Sequence, residues 1–365
     1  MLAEHLSTEA TARDRGLGFG RRHGHLVHRT VAAYELMFEE VRGLAPRDVR
    51  ALGAEVGVLL AGECPDLADE IVGIADGANA DPKSLFALNA RTEILGGVGP
   101  CECSVIGLLP ERAGGHTILA QNWDWHPDLA ASRVVWTIVE PDGRWMTTLT
   151  EAGILAKIGI NSDRLGLCLN LLASTDDGEL GGLPIHVLCR LILGAAGDLS
   201  AAEAILERAH AGASSCFDVA HASAGGSAMA AFELSPRGLD RIEAEDGVLL
   251  HTNHFLGPMR PHDRKRPEQP DTEVRLAELE RRVRDGPSRL TAEHAKQALS
   301  SHESPPIAVC CHDEDNPIRA ERQATLASVC LHLDDREIEI SDGAPCAASF
   351  DLVGRREPDR SPARR

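Results

Sequence analysis

The chain lacks the marks of export, membrane insertion and nucleic-acid binding. Its opening, Met-Leu-Ala-Glu-His-Leu-Ser-Thr-Glu, has no apolar stretch of the kind that forms a signal peptide. No run approaches the roughly eighteen consecutive apolar residues that a bilayer-crossing helix needs. These absences predict a soluble, cytoplasmic protein with no membrane partner. Basic residues are outnumbered, 37 Lys and Arg against 56 Asp and Glu, for a formal net charge of −19. Phosphate backbones are bound through basic patches and counterion release, so nucleic acid is not expected as a partner. The one basic concentration, Gly354-Arg-Arg-Glu-Pro-Asp-Arg-Ser-Pro-Ala-Arg-Arg365, has almost no apolar content and reads as a solvated, disordered tail over residues 353–365.

Metal and cofactor signatures are also missing. There is no CxxC pair, and the ten cysteines are scattered through a long chain without an export signal, so free thiols are expected. His251 and His254 lie three apart in a stretch that reads as a strand, where such positions face opposite sides. His312 merely adjoins Cys310 and Cys311, so no metal site is expected. Gly16-Leu-Gly-Phe-Gly20 lacks both the preceding strand and the final glycine of a dinucleotide fingerprint, and no cofactor is expected. No internal repeat or low-complexity segment occurs before the tail.

What is present is a globular sequence, 43% hydrophobic. Helical spacing runs through residues 25–41, 49–64 and 67–78, and Asn79-Ala-Asp-Pro82 marks a turn before a further helix at 83–95. Strand patterns follow at 104–109, 116–122, 133–140, 145–150, 154–160 and 166–170, with Pro141-Asp-Gly143 as a hairpin turn. Two helices are expected at 183–195 and 200–211, the second capped by Ser200 with Glu203 three residues on. Strands are expected at 228–234 and 248–254, a surface loop at 258–270, helices at 272–284 and 291–300, and strands at 323–333, 337–340 and 347–352. Strand runs separated by helix pairs, without βα alternation, define an α+β fold built on antiparallel sheets.

Chemistry gathers around Gly99-Pro-Cys-Glu-Cys-Ser-Val-Ile-Gly107, where Cys103 opens a strand after a glycine-rich kink. A cysteine in that setting is more often a small buried hydrophobe than a nucleophile. Its company changes the weighting. Gln121-Asn-Trp-Asp-Trp125 and His251-Thr-Asn-His254 bring a carboxylate, Asp124, and an amide, Asn253, to serve a thiol without any metal. Trp123 and Trp125 flank Asp124 either as packing or as the lining of an acyl pocket.

Cys103-Ser104, Gln121-Asn-Trp-Asp124, Thr150-Glu-Ala-Gly-Ile154 with Gly159-Ile-Asn-Ser162, and His251-Thr-Asn-His254 stand in the order found in the isopenicillin N acyltransferase family. Leu88-Asn-Ala-Arg-Thr-Glu-Ile94, Arg322-Gln-Ala-Thr-Leu326 and Gly20-Arg-Arg-His-Gly24 also resemble that family, and the likeness covers about residues 16–352. The resemblance implies a four-layer αββα Ntn-hydrolase sandwich, made as a precursor that cuts itself between Glu102 and Cys103. Residues 1–102 would form a helical fragment and 103–352 the catalytic region, both staying together as one globular unit. It further implies that Cys103 is the nucleophile and that Asp124 and Asn253 are catalytic. Cys103 is preferred to Cys101 because Ser104 and the following strand match the family's Cys-Thr/Ser pattern. One departure stands out. Val309-Cys-Cys-His312 places Cys311 where the family carries an active-site arginine, a bidentate donor that a thiol does not replace. Arg319, Arg322 and His312 are the candidates to compensate.

The chemistry fits those residue types. A freed α-amine, with a pKa of about 7.7–8.0, is a suitable base for a thiol of about 8.5. Asp124 can orient that amine, and the Asn253 side chain can donate to the oxyanion. The expected activity is transfer of an acyl group from a Cys103 thioester to an amine or to water. Small-molecule amides, amines or acyl-CoA are the expected substrates, with acyl-CoA a candidate co-substrate. The alternative is an unprocessed, non-catalytic domain of the same fold that binds a small molecule. An ordinary Cys–His hydrolase ranks below both, because no histidine segment has the required context.

Overall fold

The computed structural model of the chain describes residues 2–97, 103–178, 180–303 and 308–354. The Glu102 side of the expected cleavage site, Cys101, and residues 355–365 of the expected tail lie outside these described residues. No helix among them is long and apolar enough to cross a membrane.

The first part of the chain is helical for legible reasons. Helix α1 (Ala12–Arg42) starts at Thr11, whose hydroxyl accepts from the Asp14 amide, and stops at Gly43, held at φ 65°. Helices α2 (Pro46–Glu63), α3 (Pro65–Ala78) and α4 (Pro82–Asn89) each begin with a proline, which lacks only an amide hydrogen that would have no partner there. Asn79 caps α3 in the left-handed region and Asp81 caps α4, so the Asn79–Pro82 turn forms as its residues require. The single helix expected over 83–95 is divided, α5 (Arg91–Leu95) following a break at Ala90.

Two sheets follow. The first has the order β1 (Ala3–Ser7), β4 (Arg133–Val139), β5 (Trp145–Glu151), β6 (Ile158–Asn161), β7 (Leu165–Leu171), β8 (Ser215–His221), β9 (Ala228–Ser235) and β10 (Gly238–Glu243). The second has the order β11 (Val248–His251), β2 (Cys103–Leu108), β3 (Ile118–Trp125), β13 (Gln323–His332), β14 (Glu337–Ser341) and β15 (Phe350–Val353), with the short β12 (His312–Asp313) paired to β13. Every pairing is antiparallel except β1 with β4. Gly143, at φ 89°, closes the β4–β5 hairpin.

The two sheets face each other through the main apolar cluster, which includes Val105, Trp123, Leu149, Leu167 and Val329. Helices α6 (Ile185–Ala195) and α7 (Leu199–Arg208) pack on the outer face of the first sheet, and α9 (Asp271–Leu279) and α10 (Ala292–Leu299) on that of the second. The result is the expected α+β sandwich of four layers, helix–sheet–sheet–helix.

Several expectations are corrected. Strand β1 lies ahead of the helices, fixed where Trp136 donates to the Ser7 hydroxyl at 2.9 Å. Strand β8 escapes the sequence pattern because buried Asp218 interrupts its apolar run, and β10 because it is an edge strand carrying charges. Helix α7 is capped by Asp198, not Ser200. The 248–254 strand stops at His251, and the helix expected over 272–284 is α-helical only to Leu279, continuing as a π-turn through Arg284. Segment 258–270 is not a plain loop: it holds a 3-10 turn at Arg260–His262 and the one-turn helix α8 (Lys265–Glu268), anchored where Asp263 accepts from the Phe255 amide. Strand β15 reaches Val353, the first residue of the expected tail.

The Gly16–Gly20 pattern is a helix-packing device. A Cβ on Gly20 would lie 2.3 Å from the Ile74 carbonyl oxygen, and one on Gly77 would lie 2.4 Å from that of Leu17. Glycines on α1 and α3 thus let two helix backbones touch. Gly20→Ala is expected to destabilise the fold by about 1–3 kcal/mol, because backbone must move to admit the methyl group. Gly62→Ala, on α2 with open space around it, is expected to stabilise by a few tenths to about 1 kcal/mol. Urea midpoints measure both, and a Gly20→Ala protein as stable as the parent would contradict the close packing.

Candidate active site

Cys103 is the first residue of β2, an inner strand of its sheet, and is 3% exposed. Its register partner on β3 is Trp123, while β11 pairs from the other side as far as His251 with Val105. Continuing that register carries Asn253 alongside Cys103. There the Asn253 Oδ1 accepts from the Cys103 nitrogen at 2.6 Å.

A buried guanidinium completes this arrangement. Arg275 of α9, 1% exposed, donates Nη1 to the Cys103 carbonyl oxygen at 2.7 Å and to the Ser104 hydroxyl at 3.1 Å. Its Nη2 donates to Asn253 Oδ1 at 3.0 Å, and Asp271 one turn earlier pairs with it at 3.3 Å. Two obligate donors therefore converge on one oxygen of Asn253, which fixes the orientation of that amide. Its Nδ2 donates to the Leu171 carbonyl at 2.9 Å, across the gap between the sheets.

The strand alternation divides the surroundings of Cys103 in two. On the inner face, Trp123 and Trp125 lie in the inter-sheet core. The Lys157 ammonium sits 3.6 Å over the Trp123 ring and 2.9 Å from a Glu151 oxygen. Tyr34 of α1 donates to the other Glu151 oxygen at 2.6 Å and accepts from the Trp125 indole at 2.9 Å. The Arg91 guanidinium lies 4.7 Å over Trp125 and 5.2 Å over Tyr34. Burial pulls the Lys157 pKa down to about 8, against the raising influence of Glu151 and of nearby Cys103. Burial alone would raise Glu151, but the charges of Lys157 and Arg91 and the Tyr34 hydroxyl hold it below its ordinary value. The pair is an ion pair at neutral pH, lying beside the thiol.

On the outer face lie Ser104, Asn122 and Asp124. Asn122 donates to the carbonyls of Leu299 and Val309 at 2.8 and 2.9 Å. Asp124 is fully buried and pairs in register with Thr325 of β13. Cys311 is buried beside it: its amide donates to the Thr325 hydroxyl at 2.9 Å and its carbonyl accepts from the Thr325 amide at 3.1 Å. Asp124 follows Trp123 on β3, so strand alternation puts its side chain on the face of the sheet opposite that of Trp123, away from the inter-sheet core.

The structure brings Cys103, Ser104 and Asn253 into direct contact through Arg275, and sets Asp124, Trp123 and Trp125 at the same end of the sheet. The proposed substitutes for the arginine missing at Cys311 lie elsewhere. Arg322 donates to the Asn316 carbonyl at 2.8 Å, Arg319 pairs with Glu40 and Asp128 at the surface, and His312 faces Cys310 and Cys346. The guanidinium beside Cys103 belongs to Arg275, which sequence reasoning missed because it sits in a charged stretch that reads as a solvated helix. Lys157 was missed as well. Its signal was a single lysine in the otherwise apolar run Ala152-Gly-Ile-Leu-Ala-Lys-Ile-Gly159.

The helix–sheet–sheet–helix sandwich, with a cysteine heading an inner strand, defines a four-layer α+β protein. The sequence profile of the acyl-coenzyme A:6-aminopenicillanic acid acyl-transferase family matches residues 111–346, and the chain belongs to that family. The matched region contains Asp124 and Asn253 and begins after Cys103. The acyl-coenzyme A:6-aminopenicillanic-acid-acyltransferase 40 kDa form of Emericella nidulans is 29% identical over 252 residues, 67% of each chain. Among solved structures, an N-acylethanolamine-hydrolyzing acid amidase ortholog of Caenorhabditis elegans aligns over 63% of this chain and 93% of its own, with 14% identity and a TM-score of 0.44. Penicillin V acylase of Agrobacterium tumefaciens aligns over 68% and 84%, with 10% identity and a TM-score of 0.41.

Removing a buried charge that bonds four groups leaves those groups unsatisfied. Arg275→Met is expected to cost about 3 kcal/mol, and Arg275→Lys, which keeps the charge without the planar fork, is expected to recover less than half of it. Arg322→Ala is expected to stay within about 0.5 kcal/mol. Equal urea midpoints for Arg275→Met and Arg322→Ala would contradict the clamp.

Proposed function

We propose that this chain is an acyltransferase or amide hydrolase that activates itself by cutting between Glu102 and Cys103 and then carries the acyl group as a thioester on Cys103. The observation that carries the reading is the binding of the Cys103 nitrogen by Asn253 and of its carbonyl by Arg275, with a buried lysine beside the thiol. Any buried backbone N–H and C=O needs partners; what favours the catalytic reading is that both partners here are polar side chains and that a buried cation lies near the thiol.

In the precursor, the Cys103 thiol attacks the Glu102 carbonyl carbon. The new S–C bond replaces the C–N bond, and the proton lost by the thiol passes to the freed nitrogen, which becomes the amine. Water then hydrolyses this thioester, leaving residues 1–102 and 103–365 as associated fragments. In the mature form the α-amine accepts the thiol proton and returns it to the leaving group. Asp124, approaching from the outer face, accepts a hydrogen bond from that amine. Lys157 favours the thiolate by its charge, as nearby cations do.

The role of Asn253 shifts from the one its residue type alone suggests. Its Nδ2 is engaged by the Leu171 carbonyl and its Oδ1 faces the Cys103 nitrogen. It is better suited to holding the amine than to donating to an oxyanion. The acyl donor is an amide or an acyl-CoA, in keeping with the name of the family, and the acceptor is an amine or water.

Intact masses of the purified protein and of Cys103→Ala test this reading. The wild type is expected to separate under denaturing conditions into 1–102 and 103–365, the second beginning with a free cysteine, while the variant stays whole. An uncut wild type that still turns over amides would sink the mechanism, and an uncut, inactive one would favour the binding-protein alternative.

A further inference from the structure

Away from the Cys103 thiol, three chain segments bring soft donor atoms to one point. His302 follows the end of α10, Cys310 and His312 flank the start of β12, and Cys346 lies in the connection after β14. Their four donor atoms all lie within 4.8 Å of one another. The His312 Nε2 is 3.5 Å from the Cys310 sulfur and 3.2 Å from the Cys346 sulfur. The rings of His302 and His312 stand 5.2 Å apart.

We infer that His302, Cys310, His312 and Cys346 form a structural zinc site. With Zn–S near 2.3 Å and Zn–N near 2.0 Å, the donors of a tetrahedral zinc lie about 3.3–3.8 Å apart; the 3.5 Å separation falls in that range and the 3.2 Å one just below it. Two thiolates and two imidazoles, with no carboxylate among them, form a donor set that favours zinc over magnesium or calcium. On binding, the two thiols release their protons to water and each sulfur gives an electron pair to the metal. Four protein ligands fill the tetrahedron and leave no open position, so the metal's role is to hold the chain and not to act on substrate.

The scaffold presents these donors from the core side. Asn122 clamps the backbone on both sides through the Leu299 and Val309 carbonyls, and the Cys310 amide donates to the Ser301 carbonyl at 3.1 Å. Cys310 is buried while His302, His312 and Cys346 are exposed, which leaves a path for a metal to enter. The site is absent from sequence patterns because its ligands are widely and irregularly spaced, Cys346 coming 34 residues after His312. Bound zinc would tie segment 308–313, which carries Cys311 and its bonds to Thr325 opposite Asp124, to the connection after β14.

The test uses the full chain, reduced and without an affinity tag. Elemental analysis is expected to find about one zinc per chain, falling to background in Cys310→Ser/Cys346→Ser but not in the control Cys64→Ser. Cobalt(II) added to the metal-stripped protein is expected to give the intense visible bands of a tetrahedral site together with a thiolate charge-transfer band. His302→Asn, a change at an exposed position, is expected to weaken zinc about tenfold or more against a competing chelator. Stripped, reduced wild type that binds no more zinc than the double variant would overturn the proposal. So would a Cys310–Cys346 disulfide, two hydrogens short in mass, that persists under reduction.

Discussion

The site depends on one buried junction, the Asn253 Oδ1 held between the Cys103 nitrogen and the Arg275 guanidinium. Each partner in it is costly to bury alone. Arg275 must find bonds for a charge removed from water, and it finds them in Asp271, the Cys103 carbonyl, the Ser104 hydroxyl and Asn253. Those same bonds fix the first residue of β2 in position. One set of contacts satisfies the buried cation and fixes the residue proposed as the nucleophile, so under that proposal the outer helix layer positions Cys103 as well as covering the sheet.

The inner side of Cys103 repeats this logic with different residues. Glu151 and Lys157 neutralise each other, Tyr34 reaches across from α1 to bond Glu151, and Arg91 lies over two aromatic rings. This explains why a helical region that cleavage would separate from Cys103 still matters to it. Tyr34 and Arg91 belong to residues 1–102 and are buried against Glu151 and Trp125, contacts that would hold the two fragments together if the proposed cut is made.

How much of this was legible in the sequence differs from residue to residue. The layered α+β architecture was readable because its helices carry prolines and capping residues at their starts and its inner strands are long apolar runs. Cys103, Asp124 and Asn253 were singled out only through the order of short motifs, since none of them is distinctive by itself. Arg275 was hidden by its neighbours: helical periodicity places a charged residue on a face, but only tertiary packing shows that the face is covered. Strands β1, β8 and β10 were lost because edge position, buried Asp218 and surface charge erase the pattern that marks a strand. The His302, Cys310, His312 and Cys346 cluster was invisible for a further reason, that its spacing follows no local element and exists only once three segments meet.

The central claim is that Cys103 carries the acyl group. It is tested most directly by trapping: the processed protein is mixed with an acyl-CoA or a small N-acyl amine, quenched in acid, and the fragment that begins at residue 103 is mapped by mass. The account predicts one acyl group on the Cys103 sulfur, released by hydroxylamine as a thioester should be and absent when the thiol has been alkylated beforehand. Turnover of the substrate with the acyl group on another residue, or undiminished turnover after Cys103 is blocked, would contradict it.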